Sequence, residues 1–236
     1  MFKIKIAGIN ILVDNKYPFT EFLCREYFTT EAHTDIEVRA TDEAIKAEIA
    51  EAEIPVNEDY AESVCIHREI AERLAEFDAF VLHSAFISCE GKGIAFTARS
   101  GVGKSTHVAL WKKNFRDRVT VVNGDKPIVR FIDGVPYGFG TPWLGKENEG
   151  ENSKTEFSAL CFLQRGETNM AEQIPCELGA MQLLSQVYIP KNPQNAAKTL
   201  ELVDRFSSSI AFFRLACNMH DEAAIVSHNT IMKGIT

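Results

Sequence analysis

The run Gly93-Ile94-Ala95-Phe96-Thr97 passes directly into Ala98-Arg99-Ser100-Gly101-Val102-Gly103-Lys104-Ser105-Thr106, and a helix-compatible stretch continues through Trp111. No other segment restricts the fold as much. A buried strand, a glycine turn and a helix start in that order demand a sheet from whose edge a helix springs. Gly101 and Gly103 let successive backbone N–H groups turn to one side, and the helix N-terminus adds the positive end of its dipole. Such a nest suits phosphate. Lys104 then reaches the β- and γ-phosphates of a nucleoside triphosphate, and the Ser105 hydroxyl ligates Mg²⁺. The expected binding loop is Ser100, Gly101, Val102, Gly103, Lys104, Ser105 and Thr106, with ATP and Mg²⁺ as cofactors. Ala98 stands where the GxxxxGK[ST] pattern has its first glycine, and alanine disfavours positive φ, so a slightly different loop entry is expected. A glycine-rich helix start with no ligand would leave Lys104 and Ser105 unexplained together.

Turn chemistry on either side of the loop brings further residues toward it. Phe80 to Cys89 and Gly93 to Ala98 read as two strands joined at Glu90-Gly91-Lys92. Pairing about Gly91 sets His83 opposite Arg99 or Ser100, beside the phosphates; the alternative is a strand histidine satisfied by backbone carbonyls. After the loop, Val119 to Val122 is a buried-strand pattern that ends at Asn123-Gly124-Asp125-Lys126. An acidic residue there is placed to hold Mg²⁺, or is a solvated turn residue. Asp133-Gly134 makes a two-residue hairpin between Ile128 to Ile132 and Val135 to Phe139, a register that sets Asp125 opposite Pro142. Thr141-Pro142-Trp143-Leu144-Gly145-Lys146 is thereby carried to the acidic edge of the site. Thr141, Trp143 and Lys146 become candidate substrate contacts, Trp143 being equally well a packed aromatic. Arg165, after the apolar run Ala159 to Leu163, can stabilise transferring phosphate charge or be an exposed strand end.

The rest of the chain frames this region. With 236 residues, 45% of them hydrophobic, it can bury a sizeable core. We divide it into an N-terminal α/β portion, residues 1–77, and a core, residues 78–236, that can pack with it as one unit. The first holds a strand pair (Phe2 to Ala7, Ile9 to Val13), an extended Asp35 to Arg39 segment, a helix opened by Thr41 and ended by Pro55, and a helix from about Asp59 to Glu76. The closing third reads as helices at Leu178 to Tyr188 and Ala196 to Ser208, a strand at Ala211 to Ala216 and a helix at Asp221 to Met232, so α and β alternate to the end. A net charge of -8 argues against a nucleic-acid surface. No apolar run is long enough for a membrane span, and the start alternates polar with apolar residues, unlike a signal peptide. Six scattered cysteines with no CxxC pair read as reduced thiols of a cytoplasmic protein. The apolar helical faces are core or a homo-oligomer interface.

His83, the loop Ser100 to Ser105 and Asn123-Gly124-Asp125 together resemble the catalytic core of HPr kinase/phosphorylase and its phosphoenolpyruvate-carboxykinase-like relatives. Ser105-Thr106-His107 with Trp111, Asp125-Lys126-Pro127, and Gly140 to Lys146 are similar to short bacterial carboxykinase-like proteins classed as serine kinases. The likeness spans about Tyr60 to Met232. It implies an α/β fold with a mixed, partly antiparallel sheet flanked by helices, and phosphoryl transfer served by His83 and Asp125. Gly124 stands where the bifunctional kinase has the first of two aspartates, so either Asp125 both ligates metal and handles the proton or another residue supplies one role.

The reading that follows is an ATP- and Mg²⁺-dependent kinase acting on a hydroxyl, such as serine in a small protein, a peptide or the free amino acid. Lys104 and the loop amides hold the triphosphate, Ser105 and Asp125 the metal, Arg165 or Lys146 neutralises transfer charge, and Asp125 or His83 takes the proton. The alternatives are a non-catalytic ATP-binding module and, less favoured on length, a phosphoenolpyruvate carboxykinase.

Overall fold

The computed structural model describes residues 1–99 and 101–235. Its first layer is a three-stranded sheet, β1 (Phe2–Ile6), β2 (Ile9–Asp14) and β3 (Ile36–Arg39), in that order. β1 and β2 are antiparallel, joined by a tight turn in which Ala7 and Gly8 both take positive φ; β3 adds in parallel to β2. Helices α1 (Pro18–Leu23), α2 (Asp42–Glu51) and α3 (Glu58–Arg73) accompany this sheet. The Thr41 side chain caps α2 by accepting the Ala44 N–H, and Asn57 caps α3 by accepting the Tyr60 N–H. α1 opens on Pro18, whose missing N–H costs nothing at a first-turn position. The buried Glu62 of α3 accepts the N–H groups of Lys16 and Tyr17, just ahead of α1.

The second sheet has nine strands among the described residues. These are β4 (Ala79–Val81), β5 (Ala85–Cys89), β6 (Lys92–Thr97), β7 (Val119–Asn123), β8 (Ile128–Ile132), β9 (Val135–Phe139), β10 (Lys154–Arg165), β11 (Met170–Ile174) and β12 (Ala211–Cys217). Their order runs β4-β8-β9-β10-β6-β5-β7, with β12 also paired to β10 and β11 to β12. The long strand β10 ties the halves together. Its start pairs antiparallel with β9, and from Phe157 it runs parallel to β6, with a bulge at Ser158, and from Ala159 parallel to β12 as well. The sheet is therefore mixed, and curls. Helices α4 (Lys104–Phe115), α5 (Cys176–Leu183), α6 (Pro193–Ser207) and α7 (Asp221–Gly234) complete the α/β architecture.

Three apolar clusters fill the interior. One lies under the first sheet and extends to Ala79, Val81, Ile128 and Trp143; the others lie on either side of the large sheet. α4 is fixed by Trp111, which is fully buried against Phe96 and whose indole N–H donates to His107 Nε2 (3.0 Å) and to Ser227 Oγ of α7 (2.9 Å). Burying a large apolar side chain of this kind contributes about 1.5–3 kcal/mol, so the helix that follows the glycine loop is firmly seated. No helix among the described residues is long and apolar enough to cross a membrane.

The two predicted hairpins fared differently. β8 and β9 pair as read, Ile128 with Phe139 through Ile132 with Val135. Between β5 and β6 the turn has two residues, Glu90 and Gly91, both at positive φ, so Cys89 pairs with Lys92 and Ala85 with Phe96, one place from the expected register. The single strand expected from Phe80 to Cys89 is also broken. β4 pairs with β8, β5 pairs with β6 and β7, and His83 and Ser84 lie in the crossing between them.

Candidate active site

The crossing at His83 is what assembles the site. Leu82 N–H donates to Pro127 O (3.1 Å) and Ser84 N–H to Asp125 O (3.0 Å), so residues 82–84 run beside 125–127, while His83 N–H donates to Gln186 O (2.7 Å). The His83 carbonyl accepts from Thr97 Oγ1 (2.9 Å), the last residue of β6 before the glycine loop. Three segments distant in sequence thus meet at one point, at the carboxyl ends of β6 and β7, where α/β sheets present their ligand sites.

Within the loop, Gly101 has φ 76° and Gly103 φ 120°. An added Cβ would meet no atom within 4 Å at Gly101 and none closer than 3.9 Å at Gly103, so glycine is needed there for backbone conformation and not for space. Ala98 does not share that demand. Its φ is not positive, and its side chain is buried in the core, so the expected departure at the loop entry carries no backbone strain. Ser100 lies outside the described residues. Val102 is half-buried against the core, and Ser105 and Thr106 are exposed. α4 has no side-chain cap and no acidic residue in its first turn, so the N–H groups there keep their capacity for an external anion.

Lys104 Nζ stands 2.6 Å from His83 Nε2 and 3.9 Å from Asp125 Oδ1; His83 Nε2 is 3.3 Å from the same carboxylate oxygen. The other carboxylate oxygen, Oδ2, accepts from Lys126 Nζ at 3.0 Å. A single imidazole nitrogen either accepts from Lys104 or donates to Asp125 and cannot do both. The trio therefore has two arrangements, chosen by where Lys104 points. Burial pushes the Asp125 carboxyl up, but the His83 hydrogen bond and the charge and hydrogen bond of Lys126 outweigh it and hold the group well below the usual carboxylate range. Burial pulls Lys104 down from the ordinary lysine value, with Asp125 acting in the opposite sense.

Asn123 fixes the acidic residue. Its fully buried side chain accepts the N–H groups of Asp125 (2.9 Å) and Lys126 (2.6 Å) and donates to Thr141 Oγ1 (2.9 Å). Thr141 in turn donates to Lys126 O (3.0 Å) and is fully buried, a brace between the two segments. Trp143 is also taken up by packing: its indole donates to Ser63 O (3.1 Å), its ring lies 4.8 Å from that of His67, and it joins the N-terminal core. Lys146 is exposed on the turn after Gly145. Gly145 packs so closely on Asp125 that a Cβ there would sit 2.8 Å from Asp125 Cβ, so the loop does reach the acidic edge as the β8–β9 register implies. Arg165 Nη2 donates to Gly101 O (2.7 Å), bracing the glycine loop.

Gly124 has a steric reason. A Cβ there would lie 2.8 Å from Leu144 O and 3.1 Å from Glu149 O, and its N–H donates to Glu149 O (3.0 Å). The backbone of the 144–149 loop fills the space that a second acidic side chain would need. Sequence reasoning noted Asn123 and Lys126 only as motif neighbours of Asp125, with no role of their own, and passed over Gln186. Asn123, two residues ahead of Asp125, carried a usable signal, since Asn in that position accepts the following amides; Gln186 carried none.

No family model matches the chain, and no curated protein matches it. Among solved structures it is similar to that of the Hpr(Ser) kinase/phosphatase from Coxiella burnetii. That likeness has 13% sequence identity and a TM-score of 0.30, and covers 54% of this chain and 97% of that one.

Proposed function

We propose that the protein is an ATP- and Mg²⁺-dependent phosphotransferase that moves the γ-phosphoryl group to a hydroxyl, of serine in a protein or peptide or as the free amino acid. The observation that carries this is the meeting of Lys104, His83 and Asp125 at the uncapped start of α4, beside two glycines at positive φ. The residues suit the nucleotide: free amides and Lys104 for phosphate oxygens, an exposed Ser105 hydroxyl and an ionised Asp125 for the cation. Ser105 and Asp125 would hold Mg²⁺, which supplies positive charge to the triphosphate.

Lys104 leaves His83 for a phosphate oxygen when the nucleotide enters. His83 Nε2 is then released toward Asp125. A carboxylate held below its usual range is a good cation ligand and a poor resting place for a proton, so His83 is the better acceptor: with its Nε2–H donating to Asp125, Nδ1 is the nitrogen that takes the hydroxyl proton. Arg165 keeps the glycine loop in shape through the Gly101 carbonyl.

Purified protein incubated with γ-labelled ATP and serine, serine peptides or co-expressed partner proteins tests the reading. Label transfer that is lost in Asp125→Asn supports it, and tight ATP binding with no transfer to any acceptor overturns it. That second outcome would favour a non-catalytic ATP-binding module, a reading motivated by the filled space at Gly124.

A further inference from the structure

The cations around the glycine loop are engaged unequally. Arg165 is committed to the Gly101 carbonyl, Lys112 to Glu149 (2.7 Å), and Lys104 lies inside the site with its side chain 13% exposed. Lys126 differs. Its N–H is held by Asn123 Oδ1 and its carbonyl by Thr141 Oγ1, so the stem is fixed, while the side chain is 43% exposed and ends 3.0 Å from Asp125 Oδ2. A lysine with a fixed root and a partly exposed ammonium can exchange one anionic partner for another across a few ångströms. With Gly124 shut by backbone, Asp125 is the carboxylate at this edge and faces two ammonium groups. The site is therefore rich in positive charge where the oxygens of a transferring phosphoryl group gather negative charge.

Resting on the phosphotransfer reading above, we propose that Lys126 is a catalytic residue whose ammonium leaves Asp125 Oδ2 to contact the γ-phosphoryl oxygens during transfer. It takes the role the sequence suggested for Arg165 or Lys146. In the step it assists, the acceptor hydroxyl oxygen bonds to the γ-phosphorus and the bond from that phosphorus to the β–γ bridging oxygen breaks. The electron pair leaves with ADP, and the hydroxyl proton passes to His83. Lys126 donates hydrogen bonds and loses no proton.

Calorimetric titration of the full chain with MgATP, with MgADP, and with MgADP plus aluminium fluoride, which imitates the phosphoryl group in flight, separates the possibilities. Lys126→Met should keep MgATP affinity within about threefold of wild type and lose about a hundredfold in affinity for the aluminium fluoride complex. Lys126→Arg should recover at least about tenfold of that loss. Equal weakening of MgATP and of the analogue, or no weakening of either, overturns the assignment; a single cooperative thermal transition in both variants shows that the fold is intact. A wild type that binds the analogue no more tightly than MgADP overturns the transfer reading itself. A wild type that does bind it tightly, with Lys126→Met indistinguishable, overturns the role of Lys126 alone.

Discussion

His83 and Asp125 face each other across a short run of paired backbone, with Nε2 3.3 Å from Oδ1 and the Ser84 N–H donating to the Asp125 carbonyl at 3.0 Å. The contact joins two segments whose side chains carry the chemistry and whose main chains hold them in register. It makes the charge on Asp125 part of the fold as well as of the site.

A pH dependence follows for Asp125. Its folded carboxyl lies below the ordinary value of about 3.9, so the unfolded chain takes up that proton first as acid is added. The stabilisation is complete above about pH 5 and is lost as pH falls through 4 toward the folded value. Thermal midpoints of wild type and Asp125→Asn should thus differ most near neutrality and converge in acid. A gap that stays constant from pH 6 to pH 2.5 would contradict the pairing.

The buried histidines act at higher pH. Burial lowers His67 to about 3 and His107 to about 4, so both stay neutral in the folded protein while the unfolded chain protonates near 6.5. The unfolded state binds more protons across this interval, and stability falls with pH below about 6.5, by up to about 1.4 kcal/mol per pH unit for each histidine. Urea unfolding of His67→Phe between pH 6.5 and 4.5 should show a shallower loss than wild type. Parallel curves would place His67 outside the effect.

Gly124→Ala tests why the site has one carboxylate. The added methyl meets the Leu144 and Glu149 carbonyls, so the loop or the strand end must shift, at a cost of about 1–3 kcal/mol. Denaturant unfolding measures it, and stability equal to wild type would mean that the loop yields freely.

Trp143→Ala removes a buried ring and the donor to the Ser63 carbonyl, and should destabilise by about 3–5 kcal/mol in the same assay. Trp143→Phe should leave ATP affinity unchanged, since the indole faces the N-terminal core. A large loss of affinity in a folded Trp143→Phe protein would return Trp143 to the substrate side.

What the sequence disclosed was local. Asp133-Gly134 set the β8–β9 register without error because both strand lengths and turn type are written in adjacent residues. Around Gly91 the same reasoning slipped by one, the turn being Glu90-Gly91 alone. His83 nonetheless stands beside Lys104 for a reason no local pattern carries, the pairing of residues 82–84 with 125–127. The parallel pairing of β10 with β6 and β12 was equally hidden, as were the burial of Thr141 and Trp143, which depends on what packs over them.

The central claim is that the glycine loop and Lys104 bind the triphosphate, and titration calorimetry with MgATP tests it most directly. Wild type should bind one MgATP per chain, and Lys104→Ala, which removes hydrogen bonds to charged oxygens worth about 1.5–3 kcal/mol, should bind about ten- to a hundredfold more weakly. Absence of MgATP binding by the wild type, or equal binding by folded Lys104→Ala, would contradict the account.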